Sequence, residues 1–307
     1  MKENSRPGAI TRNEIASQPE CWETALRRAA TGVAGLPQNG ERVLLLGCGT
    51  SYYVGEAYAR LRESAGKGVS DALVASDLVP VFRSYDRVLA ISRSGTSSEL
   101  LGAVKQFRTQ QPGVPVVALL GEQGTPLAAV SDVVVDLSFA DEVSVVQTRF
   151  PTTLLMLLRA ALDNADLDYV QSLPQRAKAA LVGPLPDINV RQVVFLGHGW
   201  AAPIAQEAAL KVRESAGAWV EAYPVGEYRH GPIATCAPGT LVWGLDQLPQ
   251  DMVSAIEDSG GRVENGCGEP LVELVRAHLF AVSLAAANDR DPDQPERLSR
   301  SVVLPAL

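Results

Sequence analysis

The sequence predicts an α/β protein made of two successive parallel sheets, each flanked by helices. Two observations carry this expectation. Short apolar, β-branched runs alternate with amphipathic stretches, as in strand–helix–strand units whose sheet is covered on both faces. The string RESAG also occurs twice, at Arg62–Gly66 and Arg213–Gly217. Each copy follows a strand and a Gly-x-Gly turn, VLLLGCGTS (Val43–Ser51) in one case and VVFLGHGWA (Val193–Ala201) in the other. Each is followed by a β-rich run, DALVAS or AWVEAY. The offset is 150 residues from Gly47 to Gly197 and 151 from Glu63 to Glu214, which is a tandem duplication.

The elements follow in order. Residues 10–35 have apolar positions at helical spacing, with Pro19 near a start. Strand signals fall at Val43–Leu46, Ala72–Ala75, Val88–Ile91, Val116–Leu120 and Val133–Leu137, with helical patterns at Tyr53–Glu63 and Glu99–Gln110 between them. The apolar stretch Phe150–Ala165 closes the first unit as a helix. VGPLPDINV (Val182–Val190), with two prolines and a glycine, reads as a linker. The second unit then offers strand Val193–Leu196, helix Pro203–Arg213, strands Trp219–Tyr223 and Leu241–Leu245, and helices Asp251–Asp258 and Leu271–Asn288. The expected organisation is an N-terminal helical arm (1–30), a first domain (31–181) and a second domain with a C-terminal tail (190–307).

Composition narrows the function. The net charge of −8 and the lack of a basic block argue against a nucleic-acid partner. The four cysteines are far apart without a CxxC pair, as reduced thiols in a cytosolic protein would be. The polar N-terminus is no signal peptide, and no uninterrupted apolar run suggests a membrane span. No His/Cys/Asp cluster has metal-ligand spacing, so no metal is expected.

Four motifs carry chemistry. In AISRSGTSSELLGAV (Ala90–Val104), Ser92, Ser94, Thr96, Ser97 and Ser98 crowd a strand-to-helix turn around Gly95. Backbone N–H groups and hydroxyls at such a turn attract anions, and Arg93 adds charge. A plain helix cap by Ser97 or Ser98 is the simpler alternative. The matching turn of the second unit, in LVWGLDQLP, has no serines, so the two units are expected to differ. GCGTS (Gly47–Ser51) is a second hydroxyl-bearing turn, weak evidence alone. In QEAALKVRES, Glu207, Lys211 and Glu214 are spaced i, i+4, i+7 on one helix face, where a solvated ion-pair ladder is the ordinary reading. VGEYRHGP (Val225–Pro232) is a Gly- and Pro-bounded loop holding His230, one of three histidines and a candidate for proton transfer near neutral pH. His198 and His278 read as a turn residue and a helix position.

In order, GCGTS, SRSGTSSE, DEVSVVQTRFPTT, EAALKVRESAGAWVEAYPVGEYRHGP and DQPERLSRSV resemble the tandem sugar-isomerase (SIS) domain family, from about residue 25 onward. The chain is similar to the isomerase half of glucosamine-6-phosphate synthase and to stand-alone amino-sugar-phosphate deaminase/isomerases. The resemblance implies two flavodoxin-like three-layer domains, a sugar-phosphate ligand, no cofactor and a homodimer. It places the phosphate at Ser92, Arg93, Ser94 and Ser97, with Thr50 and Ser51 nearby, and the Val145 backbone facing the sugar's C1–C2 end. It makes Glu214 the carboxylate that moves a proton between C1 and C2, Lys211 its neighbour at the enediol oxygen, and His230 the ring-opening group, reaching the site from the partner subunit. Two departures stand out. Arg93 replaces the synthase's Gln, and Arg300 replaces a lysine that forms an imine with the keto sugar, which an arginine cannot do. No glutaminase domain is expected. The implied activity is that of a phosphosugar isomerase or deaminase of a hexosamine 6-phosphate. The alternatives are a deglycase or isomerase of another keto- or amino-sugar phosphate, and a non-catalytic sugar-phosphate regulator.

Overall fold

The structure, a computed structural model, describes residues 7–77, 83–162 and 166–304. In chain order its elements are α1 (Ala9–Ala16), α2 (Gln18–Ala30), β1 (Val43–Gly47), α3 (Thr50–Ser64), β2 (Ser70–Val74), β3 (Arg87–Ser92), α4 (Ser98–Gln110), β4 (Val116–Leu120), α5 (Pro126–Ala129), β5 (Val133–Asp136), α6 (Arg149–Ala160) and α7 (Leu167–Val182). They continue with β6 (Gln192–Gly197), α8 (Ala201–Ala216), β7 (Val220–Pro224), α9 (Val225–Tyr228), β8 (Thr240–Gly244), α10 (Gln250–Asp258), β9 (Arg262–Glu264) and α11 (Pro270–Ala287). Two parallel sheets result, ordered β2-β1-β3-β4-β5 and β7-β6-β8-β9. The second repeats the first four positions of the first, as the duplicated RESAG leads one to expect. Strands β1 and β4, and likewise β6 and β8, are buried along their whole length. Their continuous Val/Leu runs are the composition that a sheet covered on both faces demands.

The chain forms two compact units, and they are not consecutive blocks. One, the β1 unit, comprises Glu20–Glu142, Arg149–Ser172 and Ser299–Leu307. The other, the β6 unit, comprises Met1–Pro19, Val143–Thr148 and Leu173–Leu298. These units are divided differently from the expected 1–30, 31–181 and 190–307: the N-terminal arm divides at Pro19, a six-residue loop from the middle of the chain belongs to the β6 unit, and the tail from Ser299 belongs to the β1 unit.

Local expectations are also adjusted. The helix read over 10–35 is two helices that break at Ser17, whose amide reaches back to Asn13 O at 3.1 Å. The helix expected over Phe150–Ala165 ends at Ala160, and 163–165 lie outside the described residues. Helix α7 was hidden by Pro174, which sits inside it. An interior proline costs about 3 kcal/mol, and burial of Val170, Leu173 and Ala177 offsets that cost. The loop holding His230 contains the helical turn α9 and a 3₁₀ turn at Pro232–Thr235.

In the β6 unit α11 packs along α8. Trp243 of β8 lies 5.5 Å from Phe195 and edge-on to Phe280 at 5.6 Å, and its indole N–H donates to Glu273 Oε2 at 2.9 Å. By length and composition α11 is the one described helix apolar enough to cross a membrane, yet most of it is buried in this core.

Candidate active site

In a doubly wound sheet, ligands settle beyond the carboxyl ends of the strands, where the strand order reverses. In the β1 unit that point lies between β1 and β3. The two turns that end there are the hydroxyl-bearing ones. After β1, Gly47 and Gly49 make the turn: a Cβ on Gly47 would meet the Ser51 backbone at 2.6 Å, and Gly49 has φ 52°. Thr50 and Ser51, both buried, open α3. After β3, Ser92 Oγ accepts Gly95 N–H at 2.9 Å, and Ser94 Oγ accepts from Thr96 Oγ1 at 3.0 Å. Gly95 has φ 62°, and a Cβ there would stand 2.2 Å from Thr125 Oγ1. Ser97 occupies the N-cap position of α4, but its side chain makes no capping bond, so the simple cap does not account for it. Ser92, Arg93 and Ser94 are all buried.

The tail runs along this loop. Arg93 Nη2 donates to Arg300 O at 2.8 Å, Ser301 Oγ lies 2.8 Å from Thr96 Oγ1 and within hydrogen-bond reach of it, and Ser98 N–H donates to Val302 O at 3.2 Å. Arg300 itself turns to carboxylates, with Nη2 2.6 Å from Glu122 and 2.9 Å from Asp141, and Nη1 donates to Glu142 O. Burial works against its charge, but the hydrogen bond it donates to Glu122 and the two carboxylates outweigh it and raise its pKa above the ordinary arginine value.

The corresponding crevice of the β6 unit, between β6 and β8, is built differently. There the amide of His198 donates to Asp246 Oδ2 at 2.9 Å. Burial raises the Asp246 carboxyl above its usual range, against the His198 hydrogen bond. A carboxylate already holds the amide that an anion would need.

The charge in this unit lies instead on α8. Lys211 is 1% exposed, with Nζ 2.5 Å from Glu214 and 3.5 Å from Glu207, which is fully buried. Glu214 keeps a fifth of its side chain exposed and lines a cavity of about 290 Å³ together with Asp289, Asp291 and Glu296. The ladder expected at a solvated face is thus buried at one end and open at the other. His278 of α11 is buried behind it. Burial pushes its imidazole pKa well below the ordinary value, and the Lys211 charge acts in the same direction. Its Nδ1 lies 3.3 Å from Gln18 Nε2. Sequence reasoning passed over His278, because helical spacing alone does not show that Lys211 lies beside it.

His230 is exposed on the turn after α9, and its amide donates to Glu227 O at 3.0 Å. Val145 lies in the loop Val143–Thr148 of the β6 unit, half-buried. The structure therefore joins Ser92, Arg93, Ser94, Ser97 and the Arg300 backbone in one cluster, and Lys211 and Glu214 in another. Among the described residues, no group of three or more His, Cys, Asp or Glu side chains could hold a metal ion.

Comparison with known proteins gives the class first. Residues 38–162 match the SIS domain model. Among curated relatives it is 27% identical to the glutamine–fructose-6-phosphate aminotransferase (isomerizing) of Leifsonia xyli, over 95% of this chain and 58% of that protein. It is 32% identical to the enzyme of the same name from Sulfolobus acidocaldarius, over 89% of this chain and 51% of that protein. The chain thus spans about half the length of the curated relatives it matches. Its fold is that of the glucosamine-6-phosphate deaminase of Thermotoga maritima (TM-score 0.84, 22% identity, 96% of this chain and all of that one). It is also that of the tagatose-6-phosphate ketose/aldose isomerase of Escherichia coli (TM-score 0.77, 21% identity, 99% of each).

Proposed function

We propose that this chain is a sugar-phosphate isomerase, acting on a hexosamine 6-phosphate by isomerisation with loss of ammonia or by plain aldose–ketose exchange. The observation that carries the reading is the Glu207–Lys211–Glu214 cluster on α8, buried behind and open at Glu214. A carboxylate with an adjoining buried ammonium, opening on a cavity, is suited to moving a proton between adjacent carbons whose oxygen gains negative charge. The names of the similar proteins agree with this class.

In the proposed reaction Glu214 takes the proton from C2 of the open-chain sugar and returns it to C1, and Lys211 offsets the charge that develops between these steps. For a 2-amino sugar the result is an imine at C2. Water adds to that carbon and ammonia leaves, giving the ketose. The hydroxyl loop Ser92–Ser98, with Arg93, is the phosphate anchor, and Thr50 and Ser51 lie on the neighbouring strand's turn. The Val145 backbone faces the reacting carbons. Exposed His230 is offered to the site of a partner subunit in a homodimer, where it opens the sugar ring. Arg300 is held by Glu122 and Asp141 and stays protonated, so it is not an imine-forming amine. That favours deamination or isomerisation over an imine-dependent synthesis.

The test is to incubate the purified protein with hexose and hexosamine 6-phosphates and follow ammonia and ketose. Ammonia and fructose 6-phosphate from glucosamine 6-phosphate, or ketose from an aldose phosphate, is the expected result. Inertness toward the whole panel would overturn the reading.

A further inference from the structure

The N-terminal helix α1 carries a buried carboxylate that the proposed reaction does not use. Glu14 is 4% exposed. One of its oxygens accepts Val143 N–H at 2.6 Å and Ser144 N–H at 3.3 Å. The Ser144 hydroxyl donates to its other oxygen, with Val146 O at 2.9 Å as the alternative acceptor. A carboxylate is costly to bury unless its lone pairs are filled, and charge-assisted bonds to backbone N–H groups are the strong ones. These partners all lie in the loop Val143–Thr148, just before or beside Val145.

Helix α1 has only eight residues, too short to hold itself in place. It is tied at its start by the segment that walls the Glu214 cavity. Asp291 Oδ1 accepts Gly8 N–H at 2.8 Å, and Asp293 accepts Ile10 N–H at 3.0 Å, Thr11 N–H at 2.8 Å and the Thr11 hydroxyl at 2.7 Å. Asp291 is also a wall of the cavity that Glu214 lines. A continuous set of bonds therefore runs from the cavity wall through Asp293 and α1 to Glu14, and from Glu14 to the Val145 loop. All of these residues belong to the β6 unit.

We infer that Glu14 is a positioning residue, which with Asp293 fixes the Val145 loop for the proton transfer at Glu214. The inference rests on the reading given under Proposed function. It gives the N-terminal arm a role in turnover, where the sequence suggests only a helical extension.

The test combines kinetics with hydrogen exchange. In Glu14→Ala, kcat on glucosamine 6-phosphate should fall by about 10²-fold, the order expected when a reacting geometry slips by about an ångström. KM should change far less. Amides in 143–148 should exchange faster while those of α8 and α11 keep their protection. Glu14→Gln keeps an acceptor for the two amides and should recover part of the loss. It also decides the matter if Glu14→Ala does not fold. Faster exchange in the loop with unchanged kcat would overturn the inference, as would a kcat loss with protection lost equally from α8. A wild-type protein inert on every sugar phosphate would sink the functional reading instead. In that case unchanged exchange of the 143–148 amides in Glu14→Ala would still overturn the role given to Glu14.

Discussion

Helix α3 places Glu56, Arg60 and Glu63 at successive turns, and α8 places Glu207, Lys211 and Glu214 at the same three positions, 151 residues on. In both helices the cation pairs with the first carboxylate of the ladder, at 2.5 Å in α3 and 3.5 Å in α8. Burial separates them. Arg60 is 42% exposed and Lys211 is 1% exposed. Glu63 stands at the surface and accepts Ser70 N–H at 2.8 Å, while Glu214 pairs with Lys211 at the edge of a cavity. Charge in water is screened, and an exposed pair contributes about 0–1 kcal/mol. In a dry setting the same charges interact several times more strongly. The α11 helix packs beside α8 and brings His278 near Lys211, and the reaction proposed above uses the buried ladder and not the exposed one. The anion turns differ in the opposite sense, with hydroxyls after β3 and a carboxylate, Asp246, after β8.

The comparison can be broken most directly at its outer carboxylates. Glu214→Gln should lose about 10²–10⁴ in turnover while still binding a sugar phosphate, and Glu63→Gln should stay near wild type; steady-state kinetics with both variants checks this. Next in size is the buried cation. Lys211→Met removes positive charge from between two carboxylates and should cost about 3–5 kcal/mol in denaturant unfolding, against less than about 1 kcal/mol for Arg60→Met. Equal costs would mean that burial is not the distinction.

A smaller effect is expected from His278. Its folded pKa lies well below the ordinary 6.5, so the unfolded chain binds the extra proton. That contribution is complete above about pH 6.5 and is lost as pH falls toward the folded value. The slope is about 1.4 kcal/mol per pH unit. Chemical denaturation from pH 7 to 5 should be steeper for wild type than for His278→Leu, and parallel curves would contradict the placement of this ring.

The strands and turns were legible because the strand–Gly-x-Gly–helix pattern recurs and because β1 and β4 are apolar runs, with β6 and β8 nearly so. Ser92–Ser98 was legible because hydroxyls crowd one glycine. The rest depends on contacts distant in sequence. Glu14 meets Ser144, and Thr11 meets Asp293 282 residues away, pairings that no local pattern shows. DQPERLSRSV stood out as a motif, yet its Asp293 turns out to hold α1. Pro174 concealed α7, since a proline ordinarily ends a helix and only burial of its neighbours overrides that rule.

We propose that the β1 unit carries the phosphate anchor and the β6 unit carries none. Calorimetric titration of the full chain with glucosamine 6-phosphate, beside glucosamine, tests it most directly. One site per chain, with the unphosphorylated sugar bound far more weakly because the charge-assisted bonds are gone, is the result expected. Two equivalent sites per chain, or equal affinity for the two sugars, would contradict it.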